Sequence, residues 1–266
     1  MSLVYVYAVT PADGEAARSD LRGLEEAPVR ELREGPIAAF VSDVPEGEFG
    51  EGPLNENLRD LPWLTPRAVR HQAVNAALAG HFDSLAPLPF GTVFRGDDSV
   101  RRMLRERADE LAARLASLRG KAEWIAAVRR DGAAAVAALE SASDALRALR
   151  DEIGAAAPGR AYLLSRRLDE VRRQEIRTVD AAAAGAAAEV LTGAGGRLYR
   201  EPVIEDAPGG MVVRFSVLAA RDGAAPLDRA AALFDVEWRD RGYALELTGP
   251  WPAYRFAGAG IEEHPA

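Results

Sequence analysis

Apolar positions fall into short runs and into stripes of three-to-four spacing, and the two kinds alternate along the chain. Leu3 to Val9 (LVYVYAV) is a near-continuous run of β-branched and aromatic residues and predicts a buried strand. Pro11-Ala12-Asp13-Gly14 breaks it, and Glu15 to Leu24 follows as a short helix. Val29 to Arg33 and Ile37 to Val44 read as two strands joined by a hairpin-like turn at Gly35-Pro36. Pro45 to Leu64 is acidic, carries several Gly and Pro residues, and reads as an exposed loop whose Trp63 folds back onto the body. Thr65-Pro66 is a helix start, because Thr accepts from an orphan N–H and Pro at the first helical position loses nothing. That helix runs to about Asp83, with Val69, Ala73, Ala76, Ala77 and Gly80 keeping one face small and apolar. Leu85 to Phe94 is a strand in which Gly91 marks a bulge or a close backbone approach. The resulting order is strand, helix, strand, strand, helix, strand, that of a ferredoxin-like βαββαβ unit.

The second half repeats the order without an evident sequence repeat. Asp97-Asp98-Ser99 opens a helix whose apolar stripe is Val100, Leu104, Leu111, Leu115 and Leu118. Lys121 to Arg129 is a strand, Gly132 to Ile153 one helix or a pair of short ones, and Gly154 to Gly159 a linker-like break. A long helix covers about Arg160 to Leu191, with Leu164, Leu168, Val171 and Val179 on one face. Leu198 to Ile204 and Met211 to Ala219 are strands around the Ala207-Pro208-Gly209-Gly210 turn, and Pro226 to Asp240 is a helix. In the closing segment, GYALELTGPWPAYRF, Tyr243, Leu245 and Leu247 alternate with Ala244, Glu246 and Thr248 as in a half-buried strand. Gly249-Pro250 then stops the ladder, since Pro has no N–H to donate. The fold class is α+β: two ferredoxin-like (βαββαβ-type) domains with additional helices. Residues 1–96 form the first, 97–119 a connecting helix, and 120–266 a C-terminal domain with a long helix and an aromatic tail.

Composition narrows the function classes. The chain has 266 residues, 48% of them apolar, which is enough for a sizeable core. It has no cysteine, so disulfide frameworks and cysteine-ligated metals are excluded and a reducing cytoplasm suits it. A net charge of -8 makes nonspecific nucleic-acid or anionic-membrane binding a poor fit. The opening MSLVYVYAVTPADGE lacks the basic region of a signal peptide, and no run approaches the roughly 20 apolar residues of a spanning helix. His71 and His81 stand ten apart rather than at a metal-pair spacing, and these two with His264 read as surface or cap residues. No HExxH, GxSxG, SxxK or P-loop pattern occurs, so no catalytic residue, cofactor or metal is expected. The arginines at 101, 102, 105 and 107, and at 166, 167, 172 and 173, are interleaved with acids and read as a salt-bridged solvated face. The strands lack the paired aromatics and basic Gly-rich signature of an RNA-binding sheet.

Three segments, LVYVYAV at Leu3, PFGTVF at Pro89 followed by DDSVRRML, and LTGPWPAYRF at Leu247, together resemble the gas vesicle protein GvpF/GvpL family. KAEWIAAV at Lys121 and RAYLLSRR at Arg160 match two further family blocks, so the resemblance covers nearly the whole chain. The family run often reads PPY with a small polar residue before the last Phe, where this chain has Ala253 and Arg255. The resemblance implies a two-domain, non-enzymatic accessory protein of gas vesicle formation, found in the cytoplasm and at the gas vesicle. Its implied partners are the very hydrophobic main shell protein and other gas vesicle accessory proteins. The rings of Trp251, Tyr254 and Phe256, with Phe90 on another strand, either plug a core or form an apolar docking surface for such partners. A second reading is a small-ligand-binding regulatory protein, a role that ferredoxin-like units also serve.

Overall fold

β1 (Ser2–Pro11) runs through the middle of the first sheet and is buried along almost its whole length. The structure is a computed structural model; it describes residues 2–12, 20–202 and 210–258, and the fold is α+β. Of the helix expected over Glu15 to Leu24, residues 15–19 lie outside the described residues, and 20–23 are not helical: Arg22 forms an isolated bridge with Pro28, and Leu24 opens a short 3-10 turn, Leu24–Glu26. There the backbone is tight. A Cβ on Gly23 would stand 2.2 Å from the Tyr7 hydroxyl, which accepts a 2.7 Å bond from the Leu24 N–H. Glu25 and Glu26 both adopt left-handed φ values, 51° and 56°, a conformation that costs an L-residue about 1–2 kcal/mol.

The expected hairpin is present as β2 (Arg30–Glu34) and β3 (Ile37–Pro45), antiparallel from Glu34↔Ile37 to Arg30↔Val41, with Gly35 at φ 57° in the turn. The expected loop at 45–64 is instead two short helices, α1 (Glu46–Phe49) and α2 (Glu51–Asn57). Their acidic first turns face the positive ends of the helix dipoles, and Phe49 is buried. Trp63 does fold back, with its ring 5.3 Å from Phe49 and its Nε1–H donating to Glu48 at 2.8 Å. It belongs to α3 (Leu61–Ala79), which starts before the expected Thr65, because Pro62 already occupies the first turn after Asp60. Pro66 therefore lies inside the helix, where it has no N–H to return to the Pro62 carbonyl. The expected strand 85–94 is split into β4 (Ala86–Pro87) and β5 (Val93–Phe94), both paired with β1, by a turn in which Gly91 has φ 92°.

Beyond it, the expected helix 97–118 is broken at Arg107 into α4 (Asp97–Glu106) and α5 (Ala108–Leu118). The four leucines and one valine of its stripe are all buried. β6 (Lys121–Arg130) is followed by α6 (Gly132–Ala142), α7 (Asp144–Ala155) and α8 (Pro158–Gly193). At 36 residues α8 is about 54 Å long. β7 (Arg197–Glu201), β8 (Met211–Ala220), α9 (Ala224–Trp238), β9 (Tyr243–Trp251) and α10 (Tyr254–Gly258) complete the chain. The expected Ala207–Gly209 turn and the strand end at Val203-Ile204 lie outside the described residues. β9 continues through Gly249-Pro250 rather than stopping there. It is an edge strand, where a missing N–H need not break a ladder.

The two sheets share one order. The first runs β2-β3-β1-β4, with β5 also on β1, and the second β7-β8-β6-β9. Contacts group the chain into two compact units, Met1–Glu123 with Pro250–Ala266, and Trp124–Gly249. This differs from boundaries at 96 and 119. Helices α4 and α5 bury their stripes against the first sheet, and the segment after Pro250 bonds to residues of the first unit. The first core centres on Tyr5, Tyr7, Phe40, Phe49, Leu78 and Phe82. The second packs Ala183, Ala184 and Ala187 of α8 and Phe234 and Trp238 of α9 onto Trp124, Val128 and Val217 of the sheet. Among the described residues, no helix is long and apolar enough to cross a membrane.

Candidate functional site

In the first unit α3 turns His71, Val74, Asn75 and Leu78 inward. His71, expected at the surface, is only 4% exposed, and Asn75 is fully buried. The helix period places these residues on the face that meets β1, so the surface expectation for His71 is overturned. Its Nδ1 lies 2.9 Å from the Tyr5 hydroxyl and its Nε2 3.0 Å from the Asn75 amide nitrogen. A neutral imidazole has one donor and one acceptor nitrogen. With Asn75 donating to Nε2, the ring proton is on Nδ1 and Tyr5 Oη accepts it, beside a 3.1 Å bond from the Gly91 N–H. Burial pushes the His71 pKa down to about 4, against a backbone bond to Leu88 that pulls it up. Asn75 also donates to the Tyr254 hydroxyl at 2.8 Å, while its own Oδ1 is buried without a hydrogen-bond partner.

Two of the four expected contact residues meet at this histidine. Phe90 stands edge-on to His71 at 5.7 Å and to Tyr5 at 5.9 Å. Tyr254 lies 5.9 Å from the His71 ring, and burial raises its hydroxyl pKa to about 12, against the Asn75 bond. Both rings are half-buried, as is Phe256. Trp251 is 42% exposed. The turn into α10 is held by a 2.8 Å bond from the Arg255 N–H to Glu123, and by Arg114 donating to the Ala257 carbonyl. The sequence reading missed His71, Asn75 and Tyr5. The signal was present in the opposed positions of α3, where 71, 74, 75 and 78 recur at helical spacing as regularly as 69, 73 and 76.

His81 is exposed, with Nδ1 2.8 Å from the Ala77 carbonyl at the helix end, as a cap residue should be. His264 lies outside the described residues. Four members of the arginine clusters, at 101, 105, 107 and 172, are ion-paired. Arg105 reaches Glu34 at 3.0 Å, Arg107 reaches Glu110 at 2.9 Å, and Arg172 joins both Glu140 and Asp169 at 2.8 Å. In the second unit a groove of about 470 Å³ is lined by Arg129, Arg130, Asp131, Arg239 and Tyr243, among others. Each of its arginines is matched by an acid: Glu246, Asp180 and Asp235 respectively. Tyr243 donates to Asp180 at 2.8 Å, and burial raises its pKa. Among the described residues, no group of three or more His, Asp or Glu is placed to hold a metal ion.

An α+β chain of two units with one shared strand order is the class that the fold defines. The whole of it, over residues 3–258, matches the family model described as gas vesicle synthesis protein GvpL/GvpF, and the chain belongs to that family. It is 36% identical to gas vesicle protein L of Streptomyces sp. (strain CB03234), over 98% of this chain and 95% of that one. It is 28% identical to gas vesicle protein F of the same strain, over 95% and 98%. The crystal structure of the gas vesicle protein GvpF from Anabaena sp. PCC7120 aligns with a TM-score of 0.76 at 16% identity, over 97% of this chain and 98% of that one. GvpF from Microcystis aeruginosa aligns with a TM-score of 0.62 at 18% identity, over 96% and 98%. These two likenesses establish the shared fold.

Proposed function

We propose that this chain is an accessory protein of gas vesicle assembly that binds the hydrophobic main shell protein, keeping its subunits in solution or nucleating their assembly. Other gas vesicle accessory proteins are its further partners, in the cytoplasm and at the vesicle. The observation that supports this reading, beside the family, is that large apolar side chains remain outside two filled cores. Trp251 is 42% exposed, and Leu233 and Val236, neighbours on α9, are 66% and 85% exposed. A surface of this kind suits an apolar protein partner. Trp251 is the first of the four proposed contact rings. Phe90 and Tyr254 act with it by fixing α10, and Phe256 is part of the same short helix.

The test is co-expression with the main shell protein, followed by affinity capture of this chain and measurement of soluble shell protein. The wild type is expected to retain shell protein in a soluble complex. Trp251→Ala is expected to weaken that capture severalfold while the chain stays folded, read as an unchanged circular-dichroism spectrum and a cooperative unfolding transition. Undiminished capture by Trp251→Ala would remove that ring from the contact. No capture by the wild type would count against the reading itself.

A further inference from the structure

The expectation of a salt-bridged face fails on one side of α8. The inward arc of its first half carries Leu164, Leu168 and Val171, and α7 packs against this helix. Arg172 lies on that inner side and is held by Glu140 and Asp169 at 2.8 Å. The opposite arc is different. At about 100° per residue, Leu163, Arg166, Arg167, Glu170, Arg173 and Arg177 fall within an arc of about 120°, and all of them are exposed. Among the described residues none of these arginines forms an ion pair. Arg166 bonds the Tyr162 hydroxyl at 3.2 Å and Arg177 the Gln174 side chain at 2.6 Å, both neutral groups. Neighbouring acids are engaged elsewhere, Asp169 by Arg172 and Glu175 by the Ser143 hydroxyl at 3.1 Å. The arc therefore sets four positive charges against the single negative charge of Glu170, in a chain whose net charge is -8. Arg173 and Arg177 stand four apart, a like-charge spacing that destabilises a helix and that a bound carboxylate relieves.

We infer that this arc of α8 is a docking surface for an acidic segment of a partner protein that carries an apolar residue beside its carboxylates. From Leu163 to Arg177 the row is about 21 Å long, as is a helix of about fourteen residues. The planar fork of arginine takes a carboxylate through two parallel bonds. Tyr162 and Leu163, 61% and 67% exposed, supply an apolar contact at the start of the row. A nucleic acid is a poorer occupant. Its phosphates run on past the ends of the row over a chain that is acidic overall, and Glu170 stands in the middle of the row. An anionic membrane meets the same repulsion. Because the arginines are exposed, salt screens the contact, which serves recognition and rate of encounter more than tight holding. This surface shares no residue with the apolar positions proposed above, so it stands or falls separately from the shell-protein reading.

The test uses the purified full chain and a fluorescein-labelled helical peptide of the same length as the row, with Leu at both ends and Glu at every third or fourth position. Fluorescence anisotropy is expected to show binding that weakens severalfold as salt is raised. Arg166→Gln, Arg167→Gln and Arg173→Gln combined are expected to weaken it at least tenfold with an unchanged melting temperature. Arg59→Gln, Arg102→Gln and Arg119→Gln combined remove the same charge from exposed positions elsewhere and are expected to change it less than twofold. No binding by the wild type, or equal weakening by the two triple variants, overturns the surface. Tighter binding of an equally long DNA duplex, or of phosphatidylserine vesicles, also overturns the proposal, by assigning the arc to a nucleic acid or a membrane. A photo-reactive benzophenone side chain at position 163 gives a readout that does not depend on the arginine variants. Cross-linking to the peptide supports the surface, and its absence while the peptide remains bound overturns it.

Discussion

His71 couples the first core to pH. In the unfolded chain its pKa is near 6.5, and in the folded protein burial lowers it to about 4. Between those values the unfolded state binds the extra proton, so the stability this group confers is complete above about pH 6.5 and is lost as pH falls through 4. The shift corresponds to about 3 kcal/mol, at 1.36 kcal/mol per pH unit. Protonation would set an Nε2–H against the Asn75 amide N–H groups, with no acceptor there unless that side chain turns its buried Oδ1 inward. His71→Gln removes the titration and leaves the carboxylates of the protein unchanged. Urea unfolding from pH 7 to pH 4 is expected to show the wild type losing about 3 kcal/mol more than the variant; parallel curves would contradict it. The cluster was hard to read from the chain because its partners are far apart in sequence. Tyr5 lies 66 positions from His71, and Tyr254 lies 179 from Asn75. No local pattern announces such pairs.

Elements with one strong period were legible, and those that mix signals were not. β1, β3, the stripe of α4 and α5, and the long α8 all follow from runs and spacings that only one structure satisfies. The stretch at 45–64 misled because its Gly and Pro residues punctuate helices here instead of filling a loop. Gly50 ends α1 with its N–H bonded to the Glu46 carbonyl, and its own carbonyl starts α2 by accepting from Leu54. Gly249-Pro250 misled because whether a Pro ends a strand depends on its place in the sheet, which the local sequence does not contain. α3 misled in another way, since its small apolar face was the natural candidate for the core, whereas the buried face mixes Val74 and Leu78 with His71 and Asn75. Capping is the cleanest element-scale test. Asp131 closes α6 by accepting from the Ala133 and Ala134 N–H groups at 2.9 and 3.0 Å. Asp131→Ala is expected to cost about 1 kcal/mol, read as a lower urea midpoint with an unchanged slope. A loss within 0.2 kcal/mol, on the order of measurement error, would mean that α6 is held by packing alone.

For the whole molecule, the α+β class was legible in the sequence of element types, while the grouping of the last segment was not. Grouping Pro250–Ala266 with the first unit depends on contacts made by Tyr254 and Arg255, which no composition shift marks. The central claim is that this member of the GvpL/GvpF family works by occupying surface on another protein, and such an agent acts in proportion to its amount. The most direct measurement is therefore a titration in which the main shell protein is expressed at a fixed level and this chain at rising levels, with soluble shell protein quantified at each. The account expects soluble shell protein to rise in proportion to this chain and then to level off at a fixed ratio in a complex that purifies as one species. Shell protein that stays insoluble at every ratio, or that becomes soluble without forming a complex with this chain, would contradict it.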